Sequence, residues 1–341
     1  MTASSEQPSS GRQVDENKTM IRSIVYCLPL ILFLLSVAVI DAQQPKKMAR
    51  IGYLTLSAAN SEWDEVFKQA LRDIGWIEGQ NVRFDYHWLA GKTERVPAVA
   101  EELIRAKVDV IFSTSTPITD AVKKTTNTIP IVMPAVAEPF ETGFAASLAR
   151  PGGNITGLSS MSRELEGKRL ELLQEILPRL ARVTYVTSTR SPYIAQDVAK
   201  RMNIQVQRLR IERSEGLDET FAAILRDRAD ALSISPLLIS NLGMGGRIAE
   251  FAAKHRVPTI SDSIEFVDAG GLLSYGSDRL ALWRRSAWYV DRILKGAKPA
   301  DLPIEQPTKF ELVINLKTAK QIGVTILPNV LTRADRVIKQ F

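Results

Sequence analysis

Residues 109–122, DVIFSTSTPITDAV, and residues 128–161, TIPIVMPAVAEPFETGFAASLARPGGNITGLSSM, decide how this chain folds. A short apolar run at 110–112 opens into Ser113, Thr114, Ser115 and Thr116, and a helical pattern starts at Pro117. A second apolar run at 129–133 opens into residues 134–139, and another helical pattern spans 140–149. Each unit reads as a buried strand whose C-terminal end passes through small residues into a helix N-terminus. Continuous apolar strands of this kind belong to parallel sheets covered on both faces. In open α/β sheets ligands sit beyond the C-terminal strand ends, where unpaired helix N–H groups favour an anion. Pro151-Gly152-Gly153-Asn154 then forms a corner at which the chain can leave one lobe for another.

Toward the N-terminus, residues 50–56 (RIGYLTL) read as a strand. Ser61 reads as the cap of a helix to residue 74, with Trp63, Val66, Phe67, Ala70, Leu71 and Ile74 on one face. That spacing places Trp63 in the core, and the same reading holds for Trp283 and Trp288. Residues 81–88 alternate as a second strand, a helix spans 95–107, and a strand at 155–158 completes five strand–helix units. Toward the C-terminus the pattern repeats: helix 162–177, strand 183–187, helix 192–202, strand 204–209, helix 217–227, strand 231–234, helix 242–255, strands 257–260 and 271–275, and helix 280–294. The tail reads as an extended 311–314, a short helix at 317–322 and a last helix at 329–338. Two α/β halves, joined near Gly157 and again near Gly276, imply two doubly wound parallel-sheet lobes facing a cleft.

The 341 residues carry a formal net charge of +6, with 45% hydrophobic and 24% charged residues, as in ordinary globular proteins. Residues 1–19 are polar and show no apolar period, the pattern of a disordered leader, and Met20 is an alternative start. Arg22, an uncharged apolar run over 23–40 and a cut after Ala42 describe a secretory signal peptide. The run is also just long enough to stay behind as a membrane anchor. Cys27, the sole cysteine, lies inside it, so the exported chain has no disulfide, thiolate nucleophile or cysteine-ligated zinc. Basic residues such as Arg182, Lys200, Arg208 and Arg213 alternate with acids and apolar residues, without the aromatic-interleaved basic stripe that nucleic-acid binding requires. His87 and His255, the only histidines, fall on an alternating strand and at a helix C-terminus. No G-x-S-x-G elbow, P-loop or H-E-x-x-H is present, and Gly243-Met244-Gly245-Gly246 has the wrong spacing for a dinucleotide loop. The reading is therefore a binding protein, not an enzyme, with no cofactor and no metal. A repressor-type regulator would need a DNA-binding helix pair ahead of Ala49, where the hydrophobic segment stands.

Several segments carry a resemblance: residues 51–57 (IGYLTLS), 73–104 (DIGWIEGQNVRFDYHWLAGKTERVPAVAEELI), 109–132, 148–160 (LARPGGNITGLSS), 167–178 (GKRLELLQEILP) and 314–338 (INLKTAKQIGVTILPNVLTRADRVI). Together they resemble the substrate-binding proteins of ABC importers whose better-known members take up tryptophan or tyrosine. The resemblance covers the chain from about Ala49 onward and implies a type I periplasmic binding protein fold, closing on its ligand by a hinge. It implies a periplasmic, monomeric protein that captures a small amino-acid-like ligand and delivers it to ABC permease subunits. A membrane-anchored sensor domain and an exported α/β enzyme are the alternatives. The implied division is leader and signal peptide at 1–42, an N-terminal lobe of 48–157 and 277–298, and a C-terminal lobe of 158–276 and 299–341. The family commonly has aspartate where this chain has Glu138 ahead of Pro139, so ligand identity does not transfer.

In such a fold the ligand meets strand C-terminal ends. Ser57 ends the first strand, and Ser113, Ser115 and Thr116 stand at the helix after the third, with donors suited to a carboxylate. Glu138 suits a ligand ammonium. From the other lobe Thr189, Ser235, Asp262 and Asp278 end strands or begin helices at the same gap, and Tyr275 can stack on the ligand.

Overall fold

The computed structural model describes residues 48–188, 195–211, 216–240 and 243–339. The signal-peptide segment and Thr189 lie outside the described residues. The first sheet contains β1 (Ala49–Thr55), β2 (Val82–Trp88), β3 (Val110–Ser113), β4 (Ile131–Val136) and β5 (Ile155–Ser159), in the order β2-β1-β3-β4-β5. All its pairs are parallel. Helices α1 (Glu62–Asp73), α2 (Val96–Arg105) and α3 (Thr116–Thr125) connect them. Ser61 and Asp64 form a capping box at α1, each side chain bonding the other's backbone N–H, which satisfies two of the donors left over at a helix start. Tyr53 of β1 donates to Asp64, tying that helix start to the sheet.

The second sheet and the helices between its strands follow in the order α4 (Glu166–Ile176), β6 (Arg182–Thr187), α5 (Gln196–Arg201), β7 (Gln205–Arg210), α6 (Leu217–Arg226), β8 (Ala231–Ile234), α7 (Pro236–Ser240), α8 (Gly245–Lys254), β9 (Thr259–Ser261), α9 (Ile264–Asp268) and β10 (Leu273–Ser277). After α10 (Arg279–Leu294) the chain adds β11 (Phe310–Asn315), α11 (Leu316–Ile322), α12 (Pro328–Leu331) and β12 (Arg336–Ile338). The strand order is β12-β11-β10-β9-β8-β6-β7, parallel except where β10 meets β11. The expected α/β fold class, two parallel sheets flanked by helices, is the one observed.

Helix α10 packs on the first sheet: Leu282, Trp283, Tyr289, Val290 and Ile293 share a core with Tyr53, Phe67 and Phe112. The residues after it stay there too. Leu302 and Ile304 join the first sheet's cores, Thr156 Oγ1 donates to the Leu302 carbonyl at 2.7 Å, and Ile304 N donates to the Leu148 carbonyl at 2.7 Å. The sequence division had sent everything after 298 to the second lobe, whereas the chain returns to the second sheet only with β11. Where strands run edge to edge near the crossings, glycine is required. Gly157 has φ +134° and a Cβ there would lie 2.1 Å from the Met133 carbonyl oxygen; one on Gly276 would lie 2.4 Å from that of Asp262.

One expected helix is absent and another is cut short. Residues 140–149 form turns: Gly143 takes φ +68°, and the Thr142 hydroxyl folds back onto the Glu138 carbonyl at 2.9 Å. Phe144 and Ala145 still reach the core, so the apolar spacing serves a packed loop. The expected helix at 329–338 stops after α12, and the chain becomes edge strand β12. Asp335 exchanges backbone and carboxylate hydrogen bonds with Leu312, at 2.9 and 2.8 Å, which turns the chain alongside β11. Two short helices, α7 and α9, had no counterpart in the sequence reading.

Candidate functional site

A cavity of about 380 Å³ opens at the C-terminal ends of the strands, with walls from both sheets and from α10, a size at the lower end of small-molecule sites. Ser57, Ser115, Thr116, Glu138 and Ser235 line it, as the strand-end argument expects. Ser115 precedes α3 and its Oγ is buried without a hydrogen-bond partner. Thr116 Oγ1 accepts from Ala137 N at 3.3 Å, so the α3 N-terminus and the loop carrying Glu138 are tied together.

Glu138 is 4% exposed and sits at φ +42°, a left-handed conformation costly for a residue with a Cβ. Its carboxylate accepts from Arg163 N at 3.2 Å and from Arg163 Nη1 at 3.0 Å. Arg163 also lies 3.6 Å from Glu141. Burial pushes the Glu138 carboxyl up to about 8, with Arg163 pulling the other way and Glu164 adding to the rise. Tyr185 is likewise pushed up by burial, to about 12, and presents a neutral phenol to the cavity.

Four expected residues do not form part of the wall. Ser113, fully buried at the end of β3, bonds Thr119 Oγ1 at 2.7 Å and so closes on its own helix. Asp262 stands behind the wall, accepting a hydrogen bond from Ser162 and lying 3.6 Å from Arg279. Tyr275 is held in the ladder between β9 and β11, its carbonyl bonded by Arg169 at 2.9 Å and its ring 6.3 Å from Phe310. Asp278 caps α10 through Ala281 N at 2.9 Å and meets Lys309 at 3.4 Å. Ser113 and Asp278 bond a neighbour or local backbone, the ordinary use of such residues at element ends.

The structure brings in side chains that the sequence reading missed. Trp63 and Trp283, assigned to the core, line the cavity with ring centroids 5.2 Å apart, although Trp283 also belongs to the core beneath. Trp288 packs against that same core. Arg163, Ser162 and Arg279 complete the wall. Position alone carried a usable signal for Trp63, which opens the first turn of the helix after β1, at the same edge as Ser57. Nothing comparable marked Arg163, which lies in a crossing segment.

A family model for ABC transporter substrate-binding proteins matches residues 58–338. A tyrosine-binding protein of Clostridioides difficile (strain R20291) is 28% identical over 267 residues, covering 76% of this chain and 75% of that protein. A conserved domain protein of Vibrio cholerae O1 biovar El Tor superposes with a TM-score of 0.77 at 26% identity, over 85% of this chain and 100% of its own. The ABC domain of Streptococcus pneumoniae in complex with L-Trp superposes with a TM-score of 0.75 at 23% identity, over 85% of this chain and 99% of that one.

Proposed function

The chain belongs to the ABC transporter substrate-binding protein family, and from that premise we propose that it captures an amino acid with a flat side chain in the cavity between its sheets. The observation that carries this reading is the pairing of an unpartnered Ser115 hydroxyl at the α3 N-terminus with the buried Glu138 carboxyl, in one cavity walled by Trp63 and Trp283. Helix N–H groups and hydroxyls suit the ligand carboxylate, Glu138 suits its ammonium, and the two indoles suit a ring. The names of the relatives, tyrosine-binding in one and bound to L-Trp in another, support the same ligand class.

The mechanism is closure of two lobes. A ligand that touches groups from both sheets stabilises only the state in which both reach it, and so shifts the population toward the closed form. That form docks on membrane permease subunits, and a separate ATPase drives release. The signal peptide that follows the polar leader and ends at Ala42 is the export signal that places the protein outside the cytoplasmic membrane. No covalent chemistry is assigned to any residue.

Thermal unfolding against a panel of amino acids, small carboxylates, amines and sugars tests the reading. A ligand that binds only the folded state adds about 2.7 kcal/mol of stability at one hundred times its Kd and so raises the midpoint with concentration. The expected result is a rise with one or more aromatic zwitterions. A rise with sugars or nucleotides alone, or chemical conversion of a ligand by the pure protein, would refute it.

A further inference from the structure

Arg279, the first residue of α10, ends in the cavity wall with its side chain 16% exposed. Its guanidinium lies 5.3 Å from the Trp63 ring centre, a cation–π distance. Among the described residues the carboxylate paired with it is Asp262, 3.6 Å away and outside hydrogen-bond range, and that same oxygen already accepts from Ser162. The other Asp262 oxygen is buried without a partner. Among the described residues none accepts a hydrogen bond from the guanidinium. The five N–H donors of the guanidinium thus face the cavity with no acceptor among the described residues, available to a ligand that supplies one.

The sites for carboxylate and ammonium are neighbours, because Ala137, next to Glu138, is bonded to Thr116 at the α3 start. Arg279 packs on the aromatic wall, over Trp63, which in turn meets Trp283. We propose that Arg279 reads an oxygen acceptor at the far end of the ligand's side chain, so that the preferred ligands are amino acids with a flat side chain ending in a phenol or carboxylate oxygen. This rests on the amino-acid reading of the cavity above and adds the identity of the tail. A phenylalanine-like tail leaves the guanidinium unsatisfied. An indole presents a donor to donors, since its N–H cannot accept. A cationic tail meets like charge. Asp262 offsets part of the Arg279 charge, so a neutral oxygen serves as well as an anion in kind.

The test is calorimetric titration of the protein with L-phenylalanine, L-tyrosine, 4-carboxy-L-phenylalanine and L-tryptophan, repeated on Arg279→Met and Arg279→Lys. The first three ligands differ only in the group at one ring position. In the unaltered protein tyrosine and the carboxy analogue are expected to bind at least about tenfold more tightly than phenylalanine, as a hydrogen bond to a charged group allows. Arg279→Met is expected to erase that gap, so that phenylalanine, tyrosine and the carboxy analogue bind within about twofold of one another. Arg279→Lys, which keeps charge but loses the planar fork, narrows it, and carries the comparison if the methionine variant does not fold. Phenylalanine or tryptophan binding as tightly as the oxygen-bearing ligands, or a gap that survives the loss of Arg279, overturns the proposal and leaves the amino-acid reading standing. Failure of every zwitterion to bind overturns that reading and this one with it.

Discussion

Ligand binding at Glu138 is expected to be coupled to proton release, and the size of the coupling follows from the site. In the free protein burial holds the Glu138 carboxyl at about 8, so at pH 6 only about 1% of molecules carry the charge that an ammonium requires, and at pH 7 about 10%. If the ligand binds only the ionised form, its apparent affinity falls by the fraction competent. Kd should therefore rise about tenfold between pH 7 and pH 6, and about fivefold between pH 8 and pH 7, for a ligand whose ammonium stays charged throughout. Close to one proton, about 0.9, should leave per ligand bound at pH 7. Titration calorimetry in buffers of different ionisation enthalpy reads both quantities. The groups facing Glu138 set the direction of each control: Arg163 favours the ionised form and Glu164 opposes it, and Glu141 competes for Arg163 at 3.6 Å. Removing the cation with Arg163→Met should steepen the dependence, and Glu138→Gln should flatten it while weakening binding. A Kd that is constant from pH 6 to pH 8 with no proton released would refute the assignment of the ammonium to Glu138.

The same carboxyl has a consequence for stability. Its folded value lies above the unfolded one, so the native state holds the extra proton; its favourable contribution is complete below about pH 4.5 and is lost as pH rises through about 8. Glu138→Gln should remove that loss and raise the unfolding free energy above pH 8 by on the order of a few kcal/mol, measured by urea titration. Arg169 is 1% exposed and donates to the Ser162 and Tyr275 carbonyls and to Glu166, which itself accepts from Ser233 at 3.2 Å. Arg169→Met strands a buried carboxylate and should cost about 3–5 kcal/mol, read as a lower urea midpoint; a loss under about 1 kcal/mol would show that the network contributes little. Ser115→Ala should change stability by less than about 0.5 kcal/mol, because its Oγ caps nothing, while weakening ligand binding several-fold or more. Equal losses of stability and affinity would make Ser115 a structural residue.

The sequence by itself determined the class of fold and the edge at which to look. Apolar runs such as 110–112 and 129–133, each followed by small residues and a helix start, have only one favourable environment, a parallel sheet covered on both faces. That inference needs no knowledge of partners, and it brought Ser57, Ser115, Thr116, Glu138 and Ser235 to one cavity. Tertiary structure decided which side chains turn into that cavity. Spacing alone cannot tell Trp63 in a core from Trp63 in a wall, because the face it shares with Phe67 is buried only as far as α10 covers it, and α10 arrives from more than two hundred residues away. For the same reason Asp262, expected at the ligand, stands behind the wall, and Arg279 lines it. A strand-end aspartate looks exposed in one dimension, but Ser162 and Arg279 close over it from two separate crossings. The helix expected at 140–149 failed on a local ground, the left-handed turns at Glu138 and Gly143. Local propensity therefore reached as far as each strand and its loop, and the composition of the site depended on segments brought together by the crossings of the chain.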